Sequence, residues 1–166
     1  MIRAIVHADK EWGIGKNNDM MFSLPKDMKF FRETTLGNVV VMGGNTLRSF
    51  PNAKPLKNRE NIVLSRGQVR DDCVVVPDFD ALKKAMKERE NSDIYIIGGG
   101  VIYKELLPYC EEVLVTKVDA VGGAEVFFPN LDEEENFVCV DKGEPIEDNG
   151  YTIRFTKYKN HNVKEL

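Results

Sequence analysis

Two stretches repeat one local design, a run of apolar residues, then glycines, then a helix start: Val39-Val40-Val41-Met42-Gly43-Gly44-Asn45-Thr46 and Ile94-Tyr95-Ile96-Ile97-Gly98-Gly99-Gly100-Val101. Glycine lets a ligand approach the backbone, and the free N–H groups at a helix start attract phosphate, worth ~0.3–1 kcal/mol per charge and up to ~2 where partly buried. Two such places suit a long, doubly phosphorylated ligand. Neither is a GxGxxG fingerprint, because Tyr103 stands three positions beyond Gly100, and neither carries the GK[ST] of a P-loop. Glycines that serve only tight strand-to-helix turns are the alternative at both.

The third informative place is Ser23-Leu24-Pro25-Lys26-Asp27 and the residues after it. Leu24, Met28, Phe31 and Thr35 recur at helical spacing, and Asp27 precedes Phe31 by four, which turns its carboxylate toward the same apolar face. An acid there is either a first-turn partner of the helix dipole or a buried working group. Just upstream, Trp12-Gly13-Ile14-Gly15-Lys16-Asn17-Asn18-Asp19-Met20 reads as a mobile lid flanked by glycines.

Other chemistries are poorly served. His7 and His161 are the only histidines, which removes most zinc constellations, so no metal site is expected. Cys73, Cys110 and Cys139 are widely spaced in apolar surroundings and read as three reduced thiols rather than a disulfide framework or a CxxC pair. With 23 Lys and Arg against 27 Asp and Glu, the net charge is -4, too negative to hold a nucleic-acid backbone or an anionic membrane. The opening Met1-Ile2-Arg3-Ala4-Ile5-Val6 lacks the features of a secretory signal, and the expectation is a soluble cytoplasmic protein. The closing Val163-Lys164-Glu165-Leu166 is near an ER-retention tetrapeptide but, without such a signal, reads as a frayed polar tail.

At 166 residues and 42% hydrophobic content, one buried core is expected. Strands are expected over Arg3 to Ala8, Asn38 to Met42, Asn61 to Leu64, Cys73 to Val76, Ile94 to Ile97, Val113 to Val118, Phe137 to Asp141 and Tyr151 to Tyr158. The unbroken apolar runs suit strands covered on both faces of a largely parallel sheet. Helices are expected over Pro25 to Thr35, Asn45 to Phe50, Phe79 to Arg89 and Val101 to Leu107, with Pro25 at a helix start, Asp78 or Asp80 as a cap and Pro108 as a stop. Asn149-Gly150 signals a turn, so the last two strands form an antiparallel hairpin. The sum is a three-layer α/β fold, with residues 1–158 as a single domain and 159–166 as a tail.

These pieces occur in an order that carries a resemblance. An opening strand, Ile14-Gly15, Leu24-Pro25-Lys26-Asp27-Met28-Lys29-Phe30-Phe31, Val41-Met42-Gly43 with Thr46, Asn61-Ile62-Val63-Leu64-Ser65, Ile97-Gly98-Gly99-Gly100 and Phe128-Pro129 together resemble dihydrofolate reductase over residues 1–158. The resemblance implies a central, mostly parallel eight-stranded sheet with an antiparallel C-terminal hairpin, flanked by four helices. It implies a monomeric enzyme that uses NADPH to reduce 7,8-dihydrofolate to tetrahydrofolate for one-carbon metabolism, hydride going to C6 and a proton to N5, and that antifolate inhibitors would bind.

Carried over by position, the resemblance gives the chemistry to Asp27, Met20, Phe22 and Thr116, with Asp27 on the pterin 2-amino group and N3. It places the substrate against Ile5, Val6, Met28, Phe31, Arg32, Asn52 and Ile97 as well, and pairs Arg59 with the α-carboxylate of the glutamate tail. The cofactor would meet His7, Ile14, Gly15, Asn18, Met20, Gly43, Gly44, Asn45, Thr46, Leu64, Ser65, Arg66, Gly98, Gly99, Gly100, Val101, Ile102 and Tyr103. Of these, Gly98 to Gly100 and Thr46 would face the pyrophosphate, and Ser65 with Arg66 the 2′-phosphate.

Three positions depart from the family pattern. Met21-Phe22 replaces Pro-Trp and removes an indole N–H; Gly44 replaces an Arg or Lys and removes a cation expected for the 2′-phosphate; His7 replaces a small Ala beside the nicotinamide. His7 either is a satisfied strand residue pointing away or changes the cofactor pocket. The rival readings are a reductase of another pterin or a pyrimidine on the same fold, and a non-catalytic nucleotide-binding module.

Overall fold

The computed structural model describes residues 1–67 and 70–166. In chain order its strands are Ile2–Ala8 (β1), Gly13–Gly15 (β2), Val39–Gly43 (β3), Glu60–Leu64 (β4), Val74–Val76 (β5), Ile94–Gly98 (β6), Glu112–Val118 (β7), Val126–Phe127 (β8), Phe137–Asp141 (β9), Ile146–Asp148 (β10) and Tyr151–Asn160 (β11). The helices are Pro25–Thr35 (α1), Gly44–Ser49 (α2), Phe79–Lys87 (α3) and Gly100–Leu106 (α4).

The main sheet runs β10-β11-β7-β1-β6-β3-β4-β5. Its pairs from β7 to β5 are parallel, and β11 lies antiparallel to β7. The outermost position is shared, because β9 pairs with Lys157–Asn160 and β10 with Tyr151–Ile153 along the same strand. The sheet is thus mostly parallel and eight positions wide, as expected. A separate small ladder joins β2 to β8.

Strand alternation divides the core into two layers. From β3, Val39 and Val41 join Ala4, Ala8, Ile94 and Ile96 against Leu82 and Met86 of α3 and Ile102 and Leu106 of α4. Val40 and Met42 turn the other way, with Ile5, Tyr95 and Ile97, toward Phe30 and Phe31 of α1 and Leu47 of α2. Val40, Val41, Ile62, Ile96 and Leu106 are fully buried. Among the described residues, no helix is long and apolar enough to cross a membrane.

Several boundaries differ from expectation for local reasons. The stretch Lys142–Gly150 is not one loop: it contains β10, and the Asn149-Gly150 turn, with φ of 50° and 86°, joins β10 rather than β9 to β11. The C-terminal residues are not frayed. Strand β11 continues to Asn160, which is buried and donates to the Cys110 carbonyl at 2.9 Å; Lys164 N–H donates to the Pro108 carbonyl, and Leu166 packs against the core. Helix α1 keeps its expected bounds but is turned further than the stripe suggested. At ~100° per residue the sheet-facing sector centres on Asp27, Phe30 and Phe31, leaving Met28 at its margin, and Met28 is 51% exposed.

The start of α1 is held from the far end of the chain. Leu24, at the cap position, has no side-chain acceptor to offer the first amides. Asp148 of β10 supplies it: Oδ1 accepts from Lys26 N–H at 3.2 Å and Oδ2 from Asp27 N–H at 3.1 Å, with Asp148 only 2% exposed. This is a helix cap delivered through tertiary structure, and Asn149 Nδ2 adds a bond to the Ser23 carbonyl. Asp148→Ala should cost about 1–2 kcal/mol, lowering Tm by roughly 3–6 °C in thermal unfolding. An unchanged Tm would mean that these amides need no protein acceptor.

Candidate active site

The Asp27 carboxylate is gripped by the sheet. Thr116 Oγ–H donates to Oδ1 at 2.6 Å, and His7 Nδ1 stands 3.2 Å from Oδ2. His7 and Thr116 are partners in the parallel β1–β7 register, so neighbouring strands each present one polar group to one carboxylate oxygen. The two acid-pocket side chains, His7 and Asp27, are 7% and 13% exposed. His7 therefore does not point away, and its imidazole is directed at the acid. Phe22 is buried, edge-on to Tyr151 at 4.9 Å and 6.3 Å from His7.

The apolar wall around the acid comes from Ile5 and Ile97, both buried, and half-buried Phe31. Val6 turns its side chain to the opposite face of the sheet, as strand alternation requires, and packs with the α3–α4 layer.

At the far end of α1, Arg59 donates from Nη1 to Thr35 Oγ1 at 3.2 Å and from Nε to the Lys57 carbonyl at 2.9 Å. Burial first, and then the nearby positive charge of Arg32, lower the Arg59 pKa, although a guanidinium stays charged. Two cations brought together suit an anionic group. Asn52 sits exposed in the short turn after α2, at φ 57°.

The two glycine segments meet at one edge. Strands β3 and β6 are adjacent, Met42 pairs with Gly98, and Gly43 pairs with Leu64 of β4, so Gly43-Gly44, Gly98-Gly99-Gly100 and Leu64-Ser65 align along the strand ends. Ligands of open parallel sheets bind at this edge. Gly98 has φ +126°, a value that side chains rarely adopt, and its peptide to Gly99 is cis. A Cβ on Gly98 or Gly99 would lie 3.4 or 3.6 Å from Thr46 Oγ1. The backbone thus forms a cradle that any side chain would partly fill, which fits a bound pyrophosphate.

Gly44 is equally informative. A Cβ there would stand 3.1 Å from both Arg48 Nη1 and Ser65 Oγ, and Arg48 also bonds the Asn45 side chain. Arg48 folds back over the glycine, returning a cation to the place where the sequence lacks one. Sequence reasoning passed over it; its spacing of four from Gly44 on a helix was the available signal. Arg66 is exposed, as are Asn45 and Val101. Ile102 and Tyr103 are buried, and Tyr103 O–H donates to the Ile5 carbonyl at 2.7 Å, burial pushing its pKa up. These two side chains are core that supports the glycine turn.

The lid candidate is anchored at its first residues. Trp12 is buried between Phe128 and Tyr158, and Asp9 accepts from the N–H groups of Glu11, Gly13 and Gly122 at 2.9, 2.8 and 2.9 Å. Ile14 and Gly15 are half-buried in the β2–β8 ladder. The exposed run begins at Lys16. Asn17 N–H donates to Glu125 Oε1 at 2.7 Å, Asn18 Nδ2 reaches the Asn45 carbonyl at 3.4 Å, and Met20 is 52% exposed. The Asn18 bond links the loop to the start of α2.

An edge of parallel strands with a glycine cradle, beside a recessed carboxylate and an apolar wall, defines an α/β protein whose candidate ligand site lies at the ends of its parallel strands. Comparison with known proteins sharpens this. Residues 1–160 match the dihydrofolate reductase family, to which this chain belongs. It is 34% identical to the dihydrofolate reductase of Staphylococcus haemolyticus, covering 95% of each chain, and 31% identical to that of Bacillus subtilis, covering 98% of this chain and 96% of the relative. It is 35% identical to the Haemophilus influenzae enzyme of that name over 86% of this chain and 88% of the relative.

The cradle depends on a close contact. A Cβ on Gly100 would come 2.6 Å from Val126 Cγ1 of β8. Gly100→Ala should therefore destabilise by about 1–3 kcal/mol, and Gly100→Ala with Val126→Ala should lose less than the two single changes summed. Thermal unfolding of the three variants checks this; strict additivity would show that β8 does not limit the turn.

Proposed function

We propose that this chain is an NADPH-dependent reductase of 7,8-dihydrofolate, forming tetrahydrofolate, and that it works as a cytoplasmic monomer on a small-molecule substrate. Antifolates would compete for the same pocket. The observation that carries the reading is the Asp27 carboxylate, recessed beside the glycine-lined strand edge with one oxygen bonded to Thr116. Family membership supports it, and the convergence of Arg59 and Arg32 supports a substrate with a carboxylate tail rather than a bare pterin or pyrimidine.

When bound, NADPH supplies the hydride. Gly98 to Gly100 and Thr46 would hold its pyrophosphate, and Ser65, Arg66 and Arg48 its 2′-phosphate. Asp27 would accept from the pterin 2-amino group and N3, orienting the ring against Ile5, Phe31 and Ile97, which exclude water. The same carboxylate favours arrival of a proton at N5, a step that a water under Met20 can complete. Arg59 would pair with the tail carboxylate in a bidentate fork. The direct test is loss of nicotinamide absorbance when protein, NADPH and dihydrofolate are mixed, with a tail-less pterin as the contrast. Absence of turnover would favour a nucleotide-binding module.

Asp27→Asn keeps the shape and removes the ionisable group. Its turnover near neutral pH should fall by roughly 10²-fold or more, the scale of a lost acid–base role. The rate should rise again as pH is lowered, since substrate protonated by solvent no longer needs the carboxylate. Steady-state rates from acid to neutral pH check both, and wild-type turnover in the variant would reduce Asp27 to a helix-end charge.

Arg48 and Arg66 should share recognition of the 2′-phosphate. Each Arg→Ala change should raise KM for NADPH by about tenfold, the loss of one charge-assisted bond, with KM for NADH little changed. Equal effects on both cofactors would assign the arginines to loop support instead.

A further inference from the structure

The imidazole of His7 has a place in the acid pocket that the reading above does not use. His7 is 9% exposed, and its one polar contact is the 3.2 Å approach of Nδ1 to Asp27 Oδ2. Nε2 is the one buried side-chain nitrogen or oxygen among the described residues that lacks a hydrogen-bond partner. Against an ionised Asp27, which only accepts, it is the Nδ1–H tautomer of His7 that makes this bond. The Phe22 ring lies 6.3 Å from the imidazole, tilted by 56°. A buried ring with an unsatisfied nitrogen gains the fold little, since an apolar side chain of similar size would fill the space without that liability.

The carboxylate torsion of an aspartate is soft and roughly two-fold. Thr116 alone, bonded to Oδ1, leaves Oδ2 free to swing. His7 stands at the paired position on the adjacent strand, so the two side chains hold the two oxygens from a common rigid surface.

We propose that His7 is a positioning residue: through Nδ1 it fixes Asp27 Oδ2, so that the carboxylate plane meets the paired N–H donors of the substrate ring in one orientation. The proposal rests on the reading of this pocket as the pterin site. It moves His7 from the nicotinamide side, where its sequence position suggested it, to the substrate side.

Three variants separate the possibilities. His7→Asn puts an amide N–H where Nδ1 stands, His7→Ala removes the donor, and His7→Leu removes it while keeping the volume. His7→Ala and His7→Leu should raise KM for dihydrofolate by about tenfold, as for one lost charge-assisted bond, with KM for NADPH within about twofold of wild type. Fluorescence titration of the free enzyme with dihydrofolate should show the same loss. His7→Asn should recover most of it, and His7→Leu should unfold at the wild-type Tm or above, because it removes an unsatisfied buried nitrogen.

Equal substrate affinity in all variants would overturn the positioning role. A rise confined to KM for NADPH would return His7 to the cofactor side, and a fall of Tm in His7→Leu that tracks the kinetic loss would make it a packing residue; either defeats the proposal. Wild-type protein that neither binds nor reduces dihydrofolate would remove the pterin reading, and this proposal with it.

Discussion

The geometry of the site depends on a carboxylate that does no chemistry. Asp148 accepts from the amides of Lys26 and Asp27, and so fixes where α1 begins and how it is turned. Without that acceptor the first turn of α1 would rest on Leu24, which offers none, and on the rigid ring of Pro25. Asp148 is in turn placed by its pairing with Tyr151 across the Asn149-Gly150 turn, whose two positive φ values set the hairpin. The antiparallel strands at the end of the chain therefore position an acid near its beginning. Residues 121 apart in sequence act as one cap.

Strand β1 shows how a parallel sheet serves packing and chemistry at once. Ala4 and Ala8 face the α3–α4 layer, and Ile5 and His7 face α1. A shift of register by one residue would bury Val6 where the imidazole stands and lose a grip on Asp27. The same rigidity governs the nucleotide edge: Gly98 is held between Thr46 and Tyr103, and Tyr103 is fixed by its bond to the Ile5 carbonyl. The acid pocket and the glycine cradle are thus joined through β1 and β6, which pair directly.

Much of this was legible because it is local. Continuous apolar runs located β3 and β6 to within a residue, and proline with helical periodicity gave the bounds of α1. What escaped is long-range or too short to have a period. The strands β2 and β8 span three and two residues and exist because they pair with each other. Asp148 looked like part of a turn, since nothing nearby reveals that its acceptors serve a helix elsewhere. The exposure of Met28 follows from the rotation of α1, which the sheet and Asp148 decide rather than the helix's own pattern. The orientation of His7 could not be read either, because a strand residue's face follows from its neighbours in the sheet.

The departures from the family pattern fit local adjustments around them. Met21 and Phe22 lie against Gly122, where a Cβ would come within 2.8 Å of the Met21 sulfur and 3.0 Å of the Phe22 ring, so the wider methionine is accommodated by a missing side chain opposite. Gly44 leaves a space that the Arg48 guanidinium enters, which moves a cation by one helical turn instead of abolishing it. His7 brings a polar ring into the space bounded by Phe22 and the Asp27 carboxylate. At Gly44 the charge removed is met by a neighbour in space, at Met21 and Phe22 the side chains are met by a glycine opposite, and the anchors Asp148 on α1 and Thr116 on Asp27 are left in place. A pocket fixed by such anchors can change the groups lining it while the backbone that carries them keeps its course.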